Sequence, residues 1–271
     1  MKAKKLFYRL IEKNLFLEKQ YLRIFNKFND QTGAIRISGI KIRSNTINVN
    51  GKGNIIICGK NCSIQNNIMR IEGENNAVKM EKDVELLGNG KQNICILGNN
   101  NRIEIESSCS IRYVSFFLSG NNNLIHISKD FSGIAVDFHI EQNNNAIEIG
   151  EGTTMHGRGM RTIHIALDEG TRVIIGEDCM FANDIQIRSS DSHSIVDLKG
   201  NRLNTAKDIK IGKHCWLGMR CMLMKGTIIP DCTVVAAGSI CTKQYTKQNT
   251  ILAGVPAKVV KKDVNWDRKF L

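Results

Sequence analysis

Proline is nearly absent. Pro230 and Pro256 are the only two among 271 residues, so no proline-rich linker divides the chain. Aromatic residues make up only 6%. No basic stretch is interleaved with them, which argues against single-stranded nucleic acid, whose binders need stacking platforms in a positive groove. No uninterrupted apolar run reaches the length of a membrane-spanning helix, so none is expected. The first residues lack an apolar core followed by a small-residue cleavage site, so a secretory signal is not expected either. The nine cysteines are odd in number and include no C-x-x-C pair. They support neither a disulfide framework nor a zinc-ribbon pattern, and they suit a reducing, cytoplasmic compartment, with the inner face of the membrane as a second station.

What is abundant is basic charge. Lysine and arginine number 38 against 26 acidic residues, a formal net charge of +12. It concentrates at the ends: residues 1–29 carry +6 and residues 258–271 carry +3. Basic ends suit anionic partners such as phosphates, an acidic polysaccharide or a membrane surface.

The most regular stretch runs from Ile211 to Ile240. It divides into five hexads: IGKHCW, LGMRCM, LMKGTI, IPDCTV and VAAGSI. The first position is always aliphatic (Ile211, Leu217, Leu223, Ile229, Val235) and the fifth always small (Cys215, Cys221, Thr227, Thr233, Ser239). A period of six fits neither a helix nor a single alternating strand. It fits a parallel β-helix, in which short strands end in tight corners and the chain stacks on itself. Cys109, Cys179 and Cys62 share the small position, where cysteine acts as a small buried hydrophobe.

A column of paired aliphatic residues extends the repeat upstream, through Ile55–Ile57, Val78–Met80, Ile103–Ile105, Ile125–Ile127, Ile147–Ile149, Val173–Ile175 and Ile209–Ile211, continuing at Ile229. The steps between first members are 23, 25, 22, 22, 26 and 36 residues, and from Ile211 to Ile229 the step is 18. The last equals three hexads, one for each face of a triangular prism. The step of 36 holds a true excursion, Ser189 to Thr205. Asn99–Asn101, Asn121–Asn123 and Asn143–Asn145 recur every 22 residues. Asparagine tolerates left-handed turns and can form ladders between coils.

These patterns divide the chain into an amphipathic N-terminal helix (1–30), a β-helix (31–257) with a projecting loop (188–206), and a basic tail (258–271). In the helix, Phe7, Leu10, Asn14, Leu17, Tyr21, Ile24 and Phe28 form a heptad seam. It either caps the solenoid or a neighbouring subunit, or lies on a membrane surface.

The excursion reads Arg188-Ser-Ser190-Asp191-Ser-His193-Ser. A histidine on a polar loop above a rigid scaffold is suited to proton transfer near neutral pH. Asp191 is placed to orient its ring. A solvated loop histidine is the bland alternative.

The hexads, followed by Ala253-Gly254-Val255-Pro256-Ala257-Lys258, resemble the hexapeptide-repeat acyltransferases. The resemblance implies a left-handed parallel β-helix, an all-β solenoid, assembled as a homotrimer and using acetyl-CoA without a metal. Ser-Ser-Asp191-Ser-His193-Ser-Ile is similar to the catalytic loop of bacterial sugar O-acetyltransferases, which implies His193 as general base. His214-Cys-Trp216-Leu-Gly218 is similar to a coil whose tryptophan borders the acetyl-transfer site. Trp216, Gly218, Gly238, Ser239, Gly254 and Lys258 are then the candidate acetyl-CoA residues, and Asn183, Ser190 and Arg188 the candidate acceptor residues. The expected activity is O-acetylation of a surface polysaccharide, capsule or lipopolysaccharide, or of its precursor. The alternatives are N-acetylation of a nucleotide-linked amino sugar and a non-catalytic β-helical scaffold. A zinc site from His156, His164 and His193 is disfavoured by their irregular spacing, and Cys215 and Cys221 are expected to be buried rather than nucleophilic.

Overall fold

The computed structural model describes residues 26–30, 35–158 and 162–269. It is a left-handed parallel β-helix of about nine turns. Each coil lays one short strand on each of three faces, in the order I, II, III. Among the described residues, face I holds ten strands, from Lys27–Asp30 to Ile240–Cys241. Faces II and III join into one hydrogen-bonded sheet because the long strands Ile35–Arg43 and Ile55–Gln65 run around the corner between them.

The aliphatic column is the inner wall of face II. Ile103 pairs with Ile125, Ile125 with Ile147, Ile147 with Val173 and Val173 with Ile209. All five are fully buried, each side chain contributing about 1.5–3 kcal/mol relative to exposure. At one place the sequence reading slips by one residue. Val78 pairs with Ile56, not Ile55, and Ile56 and Cys58 are the buried pair. Four consecutive apolar residues, Ile55 to Cys58, leave the alternation ambiguous, and stacking on the next coil decides it.

The corners behave as their composition requires. Cys179 Sγ donates to the Gly212 carbonyl at 3.1 Å, Cys215 Sγ to Pro230 O at 3.2 Å and Cys221 Sγ to Ala236 O at 3.2 Å. The small position thus carries a donor that ties one coil to the next. The asparagines form ladders. Asn54, Asn76, Asn101, Asn123 and Asn145 stack in one buried file, each side-chain oxygen accepting the backbone N–H of the next. Thr171 continues it with its own N–H on Asn145 at 2.9 Å. The middle residues Asn100, Asn122 and Asn144 take left-handed φ near +60°, which asparagine accepts at low cost.

Both boundaries move. Residues 27–30 form a strand paired with Thr46–Val49 rather than the end of a helix. The heptad pattern loses there because Asn26 enters a second ladder, accepting the Asn45 amide at 3.1 Å. The rest of the expected helix lies outside the described residues. At the other end, Ala257–Lys262 is not a free tail. It runs antiparallel to Thr250–Gly254 and closes the last coil.

Candidate active site

The excursion leaves the prism at the corner between faces I and II, between strands Gln186–Arg188 and Ile209–Ile211. Its base is pinned. Ser189 is buried, its hydroxyl lies 2.6 Å from Thr171 Oγ1, and its carbonyl accepts the Lys207 amide at 2.9 Å. Its tip is a small hairpin: Leu203 N–H donates to Ile195 O at 2.8 Å and Asp197 N–H to Asn201 O at 2.9 Å.

Asn204 is the hub. Its Nδ2 donates to Asp191 Oδ2 and to the His193 carbonyl, both at 2.8 Å, and its Oδ1 accepts the Ile195 amide at 2.7 Å. Lys225 reaches up from the next coil to donate to Asp191 Oδ2, and to Asn204 O at 3.0 Å. The Lys225 ammonium, with the Asn204 amide, holds the Asp191 carboxyl below its ordinary range. His193 itself is exposed, and among the described residues its imidazole makes no hydrogen bond. The expected contact between Asp191 and this ring is therefore not made. A charge-assisted bond to Lys225 is the stronger claim on the carboxylate, so Asp191 fixes the loop rather than the ring. Neither Asn204 nor Lys225 stood out in the sequence. Lys225 occupies an outward hexad position where any polar residue fits.

Beside the loop, face I carries a cleft of about 280 Å³ lined by His139, His164, Asp168, Arg188, Ser190 and Ser192. Arg188 Nη2 donates to Ser192 Oγ at 3.0 Å. His164 Nδ1 is 2.9 Å from Asp137 Oδ2. Phe117 stacks behind His139 with ring centroids 4.7 Å apart. Burial pushes the Asp168 carboxyl up.

The remaining candidates lie elsewhere. Trp216 points outward from face III and is 38% exposed. Gly218, Gly238 and Gly254 follow face III on successive coils. A Cβ on Gly218 would sit 2.7 Å from the Ala237 nitrogen, so coil stacking demands this glycine. Gly238 (φ +72°) has open space beside it, as a ligand approach requires. Ser239 is 1% exposed and its hydroxyl accepts the Gly254 amide at 3.3 Å, so this side chain faces the fold and not a ligand. Lys258 is exposed on the closing strand opposite Ala253. Asn183 lies at the corner after face III, its carbonyl accepting the Arg220 amide.

The structure thus forms two groups. Arg188, Ser190, Asp191 and His193 sit at the corner between faces I and II. Trp216, Gly218, Gly238, Gly254, Lys258 and Asn183 run along face III and its far corner. Face III is the side of the prism opposite the loop, so one chain cannot bring His193 to its own Trp216.

Apart from Tyr113, the large exposed apolar side chains among the described residues divide the same way. Ile195, Val196, Leu198 and Leu203 are on the loop; Trp216, Met219, Val255, Val259 and Val260 are on or beside face III. Cys215 and Cys221 are fully buried. The neighbouring Cys179 and burial push the Cys215 thiol far up, and burial pushes Cys221 up to about 11. His156 pairs with Ser132, His126 with Glu104 and Glu106, and no three His, Cys, Asp or Glu side chains among the described residues converge for a metal.

No family model matches the chain. A polysialic acid O-acetyltransferase of Neisseria meningitidis is 35% identical over 239 residues, covering 88% of this chain and 86% of that protein. The crystal structure of the polysialic acid O-acetyltransferase OatWY superposes with a TM-score of 0.57 at 29% identity, over 88% of this chain and 92% of that one. The polySia-specific acetyltransferase NeuO gives 0.55 at 27%, over 83% and 90%. With the hexads, the projecting histidine loop and this similarity along most of its length, the chain belongs to the hexapeptide-repeat acyltransferases of the polysialic acid O-acetyltransferase type, and is an O-acetyltransferase.

Proposed function

We propose that the protein transfers the acetyl group of acetyl-CoA to a hydroxyl of an anionic bacterial surface polysaccharide or its precursor, in a site shared by two copies of the chain. One observation carries the shared site: His193 and Trp216 stand on opposite sides of the prism. A site that uses both takes the loop of one copy and face III of the next. Such a contact is heterologous, and it closes into a ring when the rotation permits; three copies are the reading here. The exposed apolar residues of the loop and of face III are the two halves of that contact.

In this reading the acceptor lies in the cleft beside the loop, where Arg188 offers a guanidinium to a sugar carboxylate and Ser190 and Ser192 offer hydroxyls. His193 takes the proton of the acceptor hydroxyl as it attacks the thioester carbonyl, a contribution of about 10²–10⁴-fold. The oxyanion collapses, the C–S bond breaks, and His193 returns the proton to the departing thiolate. No enzyme-bound acyl intermediate is needed. The donor runs along face III past Trp216, its approach eased by Gly238 and Gly254 and its phosphates met by Lys258. All nine cysteines carry free thiols, in keeping with a cytoplasmic location.

The test is a panel of capsule-type polysaccharides and nucleotide sugars incubated with labelled acetyl-CoA. The expected product is an ester on an acidic polysaccharide, released by hydroxylamine. A hydroxylamine-stable label on an amino sugar would contradict the reading.

A further inference from the structure

Residues 263–269, beyond the closing strand, return along the outside of the prism and are clasped at the corner between faces II and III. Trp266 is the centre of the clasp. Its ring stacks on His214, with centroids 4.4 Å apart and an interplanar angle of 11°. Arg268 covers it at 5.5 Å. Trp266 Nε1 donates to His214 O at 2.8 Å, and His214 Nε2 lies 3.1 Å from Trp266 O. His214 Nδ1 lies 2.6 Å from Asp178 Oδ2. Arg268 donates to Asp178 Oδ1 at 2.9 Å, Thr154 Oγ1 at 2.9 Å and Cys179 O at 3.0 Å. The clasp is tied to three successive coils.

All this order serves an outer surface, not the core. Among the described residues, its one aromatic neighbour that is not tied down is Trp216, whose ring centroid is 6.2 Å from Trp266 at 46°. That is the tilted geometry aromatic pairs favour. A half-exposed indole on a two-residue strand has several staggered side-chain positions open to it. Trp266 removes the freedom on one side. Trp266 is itself only 8% exposed, so it has little surface to offer a ligand and acts through its neighbour.

We propose that Trp266 is a positioning residue that holds Trp216 in the attitude required for binding the thioester arm of the acyl donor, with His214 and Arg268 fixing the Trp266 ring. The proposal rests on the reading that Trp216 borders the donor.

Trp216 and Trp266 are the only tryptophans of the chain, so the pair has its own optical signature. Coupled indoles give a circular-dichroism couplet that must vanish equally in Trp216→Phe and Trp266→Phe. The affinity test is calorimetry with coenzyme A on the assembled protein. Trp266→Ala is expected to weaken binding about tenfold, and Trp266→Phe to restore it to within about twofold. Trp216→Ala is the control. If Trp216→Ala weakens binding and Trp266→Ala does not, the positioning role is overturned while the donor site stands. If neither changes affinity, both fall. Should Trp266→Ala not fold, Arg268→Gln loosens the same ring, and unchanged affinity there overturns the role equally.

Discussion

Asn204 holds His193 by its backbone: the Asn204 side-chain amide donates to the His193 carbonyl at 2.8 Å. The same nitrogen donates to Asp191. The loop therefore fixes where the histidine stands and leaves its imidazole free to meet a proton donor. His193→Ala should lower kcat at least about 10²-fold with the fold and assembly unchanged, because it removes only the proton acceptor. Steady-state kinetics beside a thermal melt checks this. Wild-type turnover would remove His193 from the chemistry.

Asp191 gives the loop a pH dependence. Its carboxyl is held down by Lys225 and Asn204, so the folded loop binds its proton less readily than the unfolded chain. The stabilisation is complete above the ordinary aspartate value of about 4 and is lost as pH falls through the lower folded value. Loop order, read by protease cleavage between residues 194 and 203, should fail in acid before the solenoid melts. Asp191→Asn should show the loosened loop already at neutral pH, with a smaller loss of kcat than His193→Ala. Equal protease resistance of this variant and the wild type at neutral pH would contradict the clamp.

The buried thiols are structural. Cys221 is fully buried and pushed up to about 11, so this thiol should resist alkylation in the native protein at neutral pH, while the part-buried Cys232 reacts first. Cys221→Ala should keep its kcat and lose about 1 kcal/mol of stability with its bond to Ala236 O. Urea unfolding and kinetics together decide. A stable but inactive Cys221→Ala protein would place the thiol in the reaction.

Lys258 stands exposed on the closing strand. If it meets a phosphate of the donor, Lys258→Glu should weaken coenzyme A binding more at low salt than at high salt, since a surface contact is screened. Calorimetry at two ionic strengths measures it. Unchanged affinity would move the phosphate contact elsewhere.

Much of this was legible because a solenoid repeats its constraints. Each coil must present an inward aliphatic residue and a small corner, so Ile211 to Ile240 declared the fold and the long step before Ile209 declared the loop. Where neighbouring residues are all apolar, as at Ile55–Cys58, periodicity cannot choose a register and the adjoining coil does. The site was legible only in its local parts. His193 and Arg188 share one loop and its base. Lys225 and Asn204 join Asp191 through contacts spanning 34 and 13 residues, and Trp266 reaches His214 across 52. No local pattern announces such contacts. Gly218 and Ser239 show the converse, since small residues that look open to a ligand are also what close coil stacking demands.

The shared site has the most direct test. His193→Ala and Trp216→Ala are each expected to be nearly inactive alone. Mixed into common assemblies by co-expression or joint refolding, some sites regain an intact loop from one copy and an intact tryptophan from the next. Random mixing meets both conditions in about a quarter of the sites, so about a quarter of wild-type activity should return. Mixed assemblies that stay as inactive as the separate variants would place His193 and Trp216 in sites that are not shared, and would contradict the account.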